Sequence, residues 1–158
     1  MNKGLIKIYT DGSARGNPGP AGWGAVFIVP LKKSLKVFEI GGREDHATNN
    51  QMELTAPTEA LKYTKKHKLG NQIEIVSDSK YVILGITEWI FNWQKNNWRN
   101  ASKKPVANRE LWEELYELVE ELKPKWTYVK GHNGDTHNER ADTIATSFAD
   151  DDPVKLKK

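Results

Sequence analysis

The sequence predicts an α/β fold in a single domain, with a mixed five-stranded sheet flanked by helices. Three segments rich in β-forming residues, 5–10, 22–29 and 35–40, follow one another with short connections, which is typical of an antiparallel meander. Two later β segments, 72–77 and 126–129, are separated by helical segments, and such crossovers join parallel strands. A chain of 158 residues is long enough for one domain with one core.

The helices are predicted from apolar residues that recur at helical spacing between capping residues and prolines. Asn49 or Asn50 should cap the first helix, and Asn108 should cap the third. The domain should occupy residues 1–149, followed by a charged tail, 150–158, that we expect to fray. The predicted helices cover about 49–67, 80–93, 109–122 and 138–149.

Composition excludes several classes of function. The chain has no cysteine, so disulfides, thiolate zinc sites and cysteine nucleophiles are ruled out. Its longest apolar run, 25–29, is too short to span a membrane, and no apolar segment of a signal peptide follows the first charges. A net charge of +3 permits a polyanionic partner without requiring one. We therefore expect a cytoplasmic protein that does not engage membranes.

Asp11 marks the point where the first predicted strand meets a loop dense in glycine and proline, 11–20. A carboxylate at the end of a buried strand is costly to desolvate unless something pairs it. Asp11 could simply hydrogen-bond the turn backbone, which is common for an aspartate followed by glycine. It could instead be the central ligand of a divalent metal, and this stretch alone favours the turn.

A second carboxylate, Asp78, ends the fourth predicted strand, and functional sites in such sheets lie at the carboxyl ends of parallel strands. If strands one and four are neighbours, Asp11 and Asp78 lie side by side. Their like charges raise each other's pKa, and a bridging hard cation would allow both to stay ionised. Glu53 and Asp142 are further candidates, although either alone is typical of a solvated helix face. Oxygen-only ligands would suit Mg²⁺ or Mn²⁺.

A family resemblance joins these separate candidates. In order and in spacing the chain resembles type 1 ribonuclease H, in the bacterial cellular form, from about Lys7 to Ala149. The matching segments are Thr10-Asp11-Gly12-Ser13, Gly16-Asn17-Pro18-Gly19-Pro20, Thr48-Asn49-Asn50-Gln51-Met52-Glu53-Leu54, Ser77-Asp78-Ser79, Lys130-Gly131-His132 and Asn138-Glu139-Arg140-Ala141-Asp142.

The resemblance implies a ribonuclease H-like fold and an endonuclease that hydrolyses the RNA strand of RNA·DNA hybrids, leaving 5′-phosphate and 3′-hydroxyl ends. It implies that Asp11, Glu53, Asp78 and Asp142 bind two Mg²⁺ ions, with Mn²⁺ as an alternative, in the substrate complex. His132 falls on the family histidine that assists proton transfer or product release. Glu139 is either an outer acid of the site or a first-turn acid favoured by the helix dipole.

The resemblance also implies the substrate contacts. Amide side chains both donate and accept hydrogen bonds, which suits 2′-hydroxyls and base edges in the minor groove. A basic protrusion at about 89–104 should track phosphates, because segment 80–104 holds five basic side chains against the single acid Glu88. The implied contacts are Asn17, Asn49, Asn50 and Lys80 in the groove, Thr48 and Asn92 in a phosphate pocket on the DNA strand, and Trp89, Trp93 and Lys95 on the protrusion; Trp98 and Trp112 should instead pack internally.

Two alternatives stay open at this stage. The chain could be a DNA-cutting nuclease of the same fold, against which the Asn49-Asn50 pair and the basic protrusion argue. It could also be a hybrid-binding module without activity, against which the presence of all four carboxylates argues. Two positions depart from the family pattern, since Lys80 often corresponds to glutamine and Ser77 to threonine. We expect a monomer in either case.

Overall fold

The computed structural model describes residues 4–131 and 133–158, and a five-stranded sheet forms its centre. The strand order across the sheet is β3-β2-β1-β4-β5. β1 pairs antiparallel with β2 and β2 with β3, whereas β4 pairs parallel with both β1 and β5. The predicted mixed sheet is thus confirmed. Its strands are β1 (Ile6–Ala14), β2 (Gly19–Pro30), β3 (Leu35–Ala47), β4 (Ile73–Ser77) and β5 (Lys125–Tyr128).

Helices cover both faces of the sheet, close to where the sequence predicts them. The predicted segment 80–93 is a continuous helical stretch whose middle turn is π-helical. No helix within 4–131 and 133–158 is long and apolar enough to cross a membrane. The helices are α1 (Asn49–Lys66), α2 (Lys80–Leu84), a π-helical turn (Gly85–Trp89), α3 (Ile90–Lys95), α4 (Arg109–Leu122) and α5 (Thr136–Ala149).

The core lies on the two faces of this sheet. Alternate residues of β1 face opposite sides, so Ile8 joins the cluster that includes Leu61 and Trp112, while Tyr9 joins the one that includes Ile144. The first cluster packs α1 and α4 against the sheet, and the second packs α5 against its other face. Both faces of β1 are therefore buried, which fixes the strand that carries Asp11.

β1 is longer than predicted, and the difference moves Asp11 from a loop into a hairpin. The strand continues to Ala14, which pairs with Ala21 of β2, and Asp11 pairs with Gly24. Glycine is a poor strand former, so the sequence around Gly12 favours a turn. Here the strands need glycine because the helices lie very close to them. A Cβ atom on Gly12 would collide with α1, and one on Gly22 or Gly24 would collide with α5.

The C-terminal tail is packed, so the prediction that it frays is wrong. The carbonyl of Lys157 accepts a hydrogen bond from the Glu39 N–H (2.9 Å), and the Lys157 N–H donates to Glu39 Oε1 (2.9 Å). Arg140 donates to the carbonyl of Lys155 (3.0 Å), while Leu156 packs against the α5-side core. Since β3 is the edge strand, its outward N–H groups need partners, and the tail supplies one.

An ion pair anchors this tail. Arg140 donates to both carboxylate oxygens of Glu39, at 2.8 and 3.0 Å, and the Glu39 side chain is only 1% exposed. Burial by itself would raise the pKa of Glu39, but the bonds from Arg140 and from the Lys157 backbone outweigh it, so the pKa lies below its ordinary value.

Arg140→Ala should therefore lower the free energy of unfolding at neutral pH by about 3 kcal/mol, because it leaves a buried carboxylate without its cation. The wild-type contribution is present above the ordinary glutamate pKa of 4.5 and is lost as the pH falls through the lowered folded value. Urea unfolding at several pH values measures both effects. Adding Glu39→Gln should recover part of the loss, and a double variant no more stable than Arg140→Ala would contradict this account.

Candidate active site

The parallel pairing of β1 and β4 brings two carboxylates together. Its last register pair is Thr10 with Ser77, and the next residues along the two strands are Asp11 and Asp78. Both therefore emerge at the same edge of the sheet, as the sequence predicts for neighbouring strands. Asp11 itself is buried, with 4% exposure, and its Oδ1 accepts a hydrogen bond from the Gly12 N–H.

A glycine lets α1 deliver a third carboxylate to this edge. A Cβ atom on Gly12 would collide with the backbone nitrogen of Glu53 and with the backbone of Met52. Without that Cβ the first turns of α1 rest directly on β1. From the sequence, Glu53 is expected to be a candidate ligand on a helix, whereas Gly12 is expected only to favour a turn.

The three carboxylates form a tight cluster. Oxygen atoms of Asp11, Glu53 and Asp78 lie within 4.8 Å of one another. Burial, and then the charge of Asp78, raises the pKa of Asp11 to about 8. Burial, and then the charge of Asp11, raises the pKa of Glu53 well above its ordinary value. In the absence of a cation the cluster is therefore held together against its own repulsion.

Asp142 lies farther from this cluster. It belongs to α5 and is half-buried, and its negative charge helps to raise the pKa of Asp11. It is not among the three residues whose oxygens lie within 4.8 Å of one another. The fourth predicted carboxylate thus faces the same site from the opposite layer of helices.

The donor set fits a hard divalent cation. All the clustered ligand atoms are carboxylate oxygens, the type that Mg²⁺ and Mn²⁺ prefer. The Glu53 Oε2 atom is buried and has no hydrogen-bond partner, so a cation would satisfy an atom that the protein leaves unpaired. A cation would also offset the burial and the mutual repulsion that raise the pKa values of Asp11 and Glu53.

The predicted histidine, His132, lies outside the described residues. Its neighbour Gly131 lies against the cluster, because a Cβ there would be 2.9 Å from Asp78 Oδ2. Glu139 lies in the first turn of α5 and is exposed, a position in which the helix dipole favours an acid.

The groove amides are partly committed to internal hydrogen bonds. Asn17 Oδ1 accepts from the Asn49 N–H (3.0 Å), and Asn49 Oδ1 accepts from the Ala14 N–H (2.6 Å). A backbone N–H can only donate, so both amide oxygens must face inward. Each side chain therefore uses its oxygen in an internal hydrogen bond and keeps its Nδ2 donors for a ligand, while the predicted contacts with a substrate stay a prediction. Asn50 is exposed beside them.

Thr48 is the actual N-cap of α1, in place of Asn49 or Asn50. Its hydroxyl accepts from the Gln51 N–H, and Gln51 Oε1 accepts from the Thr48 N–H. This capping box has the sequence signature Thr-x-x-Gln, so the sequence contained the signal. Gln51 also donates to Asn108 (3.2 Å), which sequence reasoning treated only as a helix cap.

The protrusion presents one side of a tryptophan cluster. Trp112 and Trp98 are buried, as predicted, and Trp93 packs on both at ring distances of 5.2 and 6.0 Å. Trp89 is 37% exposed and contacts Trp93 at 6.1 Å. Trp89, Trp93 and Asn92 line a cavity of about 320 Å³. Lys95, at the end of α3, is exposed.

Lys80 lies two residues after Asp78, at the start of α2, and its side chain extends towards β5. Its Nζ atom lies 5.4 Å from the ring centroid of Tyr128, within cation–π range. Lys80, which stands where the family often has glutamine, thus has an aromatic partner, Tyr128, on β5.

Together, the sheet order, the carboxylate cluster at the ends of β1 and β4, and the amides beside it define a metal-dependent nuclease of the ribonuclease H-like class. The RNase H family model matches residues 3–150. The ribonuclease H of Thermosynechococcus vestitus is 46% identical over 150 residues, which cover 95% of this chain and 92% of the relative. That of Bradyrhizobium sp. is 48% identical over 141 residues, covering 89% and 87%. The chain belongs to the ribonuclease H family, type 1, whose members are metal-dependent endoribonucleases.

Solved structures agree with this assignment. LC9-RNase H1, described as a type 1 RNase H with the type 2 active-site motif, superposes with a TM-score of 0.81 at 28% identity, covering 96% of this chain and 75% of that one. LC11-RNase H1, solved in complex with an RNA/DNA hybrid, gives a TM-score of 0.68 at 26% identity, covering 92% and 97%.

Asp11→Asn should abolish cleavage and preserve the fold. Without metal, the folded wild type retains a proton on Asp11 that the unfolded chain loses near pH 3.8, so its stability falls as the pH rises towards 8. The variant lacks the Asp11 contribution to this dependence, although that of Glu53 remains, and should be at least as stable as wild type at pH 8. Cleavage assays and thermal unfolding in EDTA measure both properties. Substantial residual cleavage, or a loss of activity explained by unfolding, would contradict the assignment.

Gly12→Ala should inactivate the enzyme through the position of α1. The added methyl group collides with backbone atoms of α1, which cannot move aside as a flexible side chain would. We expect a marked loss of both activity and stability. Ser13→Ala, one residue farther along the same strand, serves as the matched control, and equal activity of the two variants would show that the close approach is unimportant.

Proposed function

We propose that this chain hydrolyses the RNA strand of RNA·DNA hybrids at the Asp11 cluster, leaving 5′-phosphate and 3′-hydroxyl ends. The observation that carries the proposal is the group of three buried or half-buried carboxylates at the sheet edge, flanked by amide donors. Asp11, Glu53, Asp78 and Asp142 would hold Mg²⁺, or Mn²⁺ in its place, with two ions in the substrate complex. Bound there, the metal would supply Lewis-acid stabilisation of the charge that develops on the phosphate.

The protein's own residues hold and orient the substrate. Asn17 and Asn49 have Nδ2 donors to offer, so they suit acceptors in the minor groove: 2′-oxygens, purine N3 and pyrimidine O2. Asn50 and Lys80 extend this donor surface. These acceptors occur at every base pair, so such contacts favour binding without strong sequence selection.

The DNA strand would be held by a separate set of contacts. Thr48 accepts from Gln51, which leaves its hydroxyl hydrogen to donate to a phosphate. Asn92, Trp89 and Trp93 line the protrusion cavity, where rings can pack against sugars, and Lys95 can pair with a phosphate. His132 would assist proton transfer or product release, a role supported by its neighbour Gly131 lying beside Asp78.

We also propose that the chain acts as a monomer in the cytoplasm. Its large exposed apolar side chains within the described ranges include Leu35, Phe91 and Tyr128, which belong to β3, α3 and β5 respectively. Scattered apolar residues of this kind are ordinary for a monomer. The cytoplasm is the compartment in which bacteria such as those of its relatives keep their DNA.

The proposal predicts cleavage of RNA only when it is paired with DNA. Duplex DNA lacks the 2′-hydroxyls, so two groove donors that meet 2′-oxygens in the hybrid would be left unpaired, which at about 1–3 kcal/mol each would cost on the order of 100-fold in rate. Duplex RNA has the hydroxyls but a stiffer partner strand. Four substrates of matched sequence, namely hybrid, duplex RNA, duplex DNA and single-stranded RNA, should be compared in Mg²⁺.

An EDTA sample provides the control for metal dependence, since chelation should stop all cleavage. Comparable cutting of duplex DNA would move the protein to the DNA-cutting alternative. Tight binding of the hybrid without cleavage in Mg²⁺ or in Mn²⁺ would move the protein to the binding-module alternative.

A further inference from the structure

A chain of polar contacts connects the N-terminus of α1 to the protrusion. It begins at the Thr48 N–H, which donates to Gln51 Oε1 at 2.9 Å. Gln51 Nε2 donates to Asn108 Oδ1, and Asn108 Nδ2 donates to the Tyr81 hydroxyl, each at 3.2 Å. The Trp112 indole N–H donates to the same hydroxyl, also at 3.2 Å. We call this chain of contacts the polar relay.

The direction of every bond in the relay is fixed from one end. The Thr48 N–H can only donate, so the Gln51 amide must present its oxygen there and its nitrogen to Asn108. Asn108 must then present its oxygen to Gln51 and its nitrogen to Tyr81. Asn108 stands at the N-cap position of α4 with a left-handed backbone (φ 63°), yet its side chain makes no capping bond to that helix. Its amide is committed to the relay instead.

The far end of the relay contacts the exposed tryptophan. The Tyr81 ring lies 6.2 Å from Trp89 and 5.1 Å from Trp112, which is fully buried. Tyr81 is therefore fixed at its hydroxyl by Asn108 and Trp112, and its ring makes an edge-type contact with Trp89. A continuous path of direct contacts thus joins Thr48 to Trp89.

We propose that Gln51 and Tyr81 are positioning residues that set Thr48 and Trp89 at the separation needed to grip one DNA strand. The inference rests on the proposed function, since it takes Thr48 as a phosphate contact and Trp89 as a sugar contact. Neither Thr48 nor Trp89 belongs to the carboxylate cluster. Disturbing the relay should therefore weaken substrate binding and leave the chemical step unchanged.

Two variants break the relay without removing its anchors. Gln51→Met removes the donor to Asn108 without adding a charge, and the Thr48 hydroxyl can still accept from the backbone N–H of residue 51. Tyr81→Phe removes the shared hydroxyl without changing any charge. Tyr116→Phe is the matched control, because it removes a hydroxyl from a ring that packs on Phe91, outside the relay.

The measurements are KM and kcat on a hybrid, with Tm recorded for every variant and assays run below the lowest Tm. Gln51→Met and Tyr81→Phe should raise KM about three- to tenfold, the effect expected from losing a hydrogen bond, with kcat within about twofold of wild type. Tyr116→Phe should match wild type. A KM equal to that of the control, or a fall in kcat alone, would overturn the inference.

A second readout separates positioning from general stability. Hybrids carrying one uncharged methylphosphonate linkage at successive positions of the DNA strand should reveal one position where wild-type KM rises. At that position the penalties of Tyr81→Phe and Gln51→Met should largely disappear, because Thr48 no longer has a charged phosphate to meet. Penalties that persist at every position would refute the relay and leave the proposed function intact. If no position affected wild type, the Thr48 phosphate contact would fall, and the relay with it.

Discussion

Repulsion among Asp11, Glu53 and Asp78 is the constraint on which the rest of the structure depends. Three carboxylates within 4.8 Å would separate if they stood on flexible segments. Here two of them follow the last register pair of β1 and β4, and the third is carried by a helix that rests on Gly12. Packing on both faces of β1 supplies the free energy that holds this arrangement, and a divalent cation that binds only the folded cluster would stabilise it further.

Local chemistry explains how far the sequence could predict this site. Asp11 and Asp78 each follow a β-rich segment, so the crossover topology alone places them together, and Glu53 and Asp142 needed the family resemblance to be chosen over other helix acids. The capping box at Thr48 was readable, but two adjacent asparagines offered an equally plausible cap. By contrast, the contact of Lys157 with Glu39 joins segments far apart in the chain, and nothing in a charged tail distinguishes a packed strand edge from a solvated end.

The orientation of the amides could not have come from the sequence at all. An asparagine in isolation both donates and accepts, and only the neighbouring backbone decides which atom remains for a ligand. The Ala14 and Asn49 N–H groups take the oxygens of Asn49 and Asn17. The hairpin and the start of α1 thereby fix each other, and the same bonds leave a surface of donors next to a cluster of anions.

This juxtaposition explains why the groups proposed to hold the substrate are distinct from the carboxylates. A nucleic acid is itself a polyanion, so each carboxylate that is ionised in the cluster repels the strand it must meet; after burial, the charge of Asp78 is the largest cause of the raised pKa of Asp11. Binding energy must therefore come from remote contacts, from the groove donors and from the basic protrusion, and be used to bring a phosphate to the cluster. Any cation that neutralises the carboxylates also removes the main obstacle to the phosphate. Metal and substrate should thus favour each other's binding through charge alone, before either takes part in the reaction.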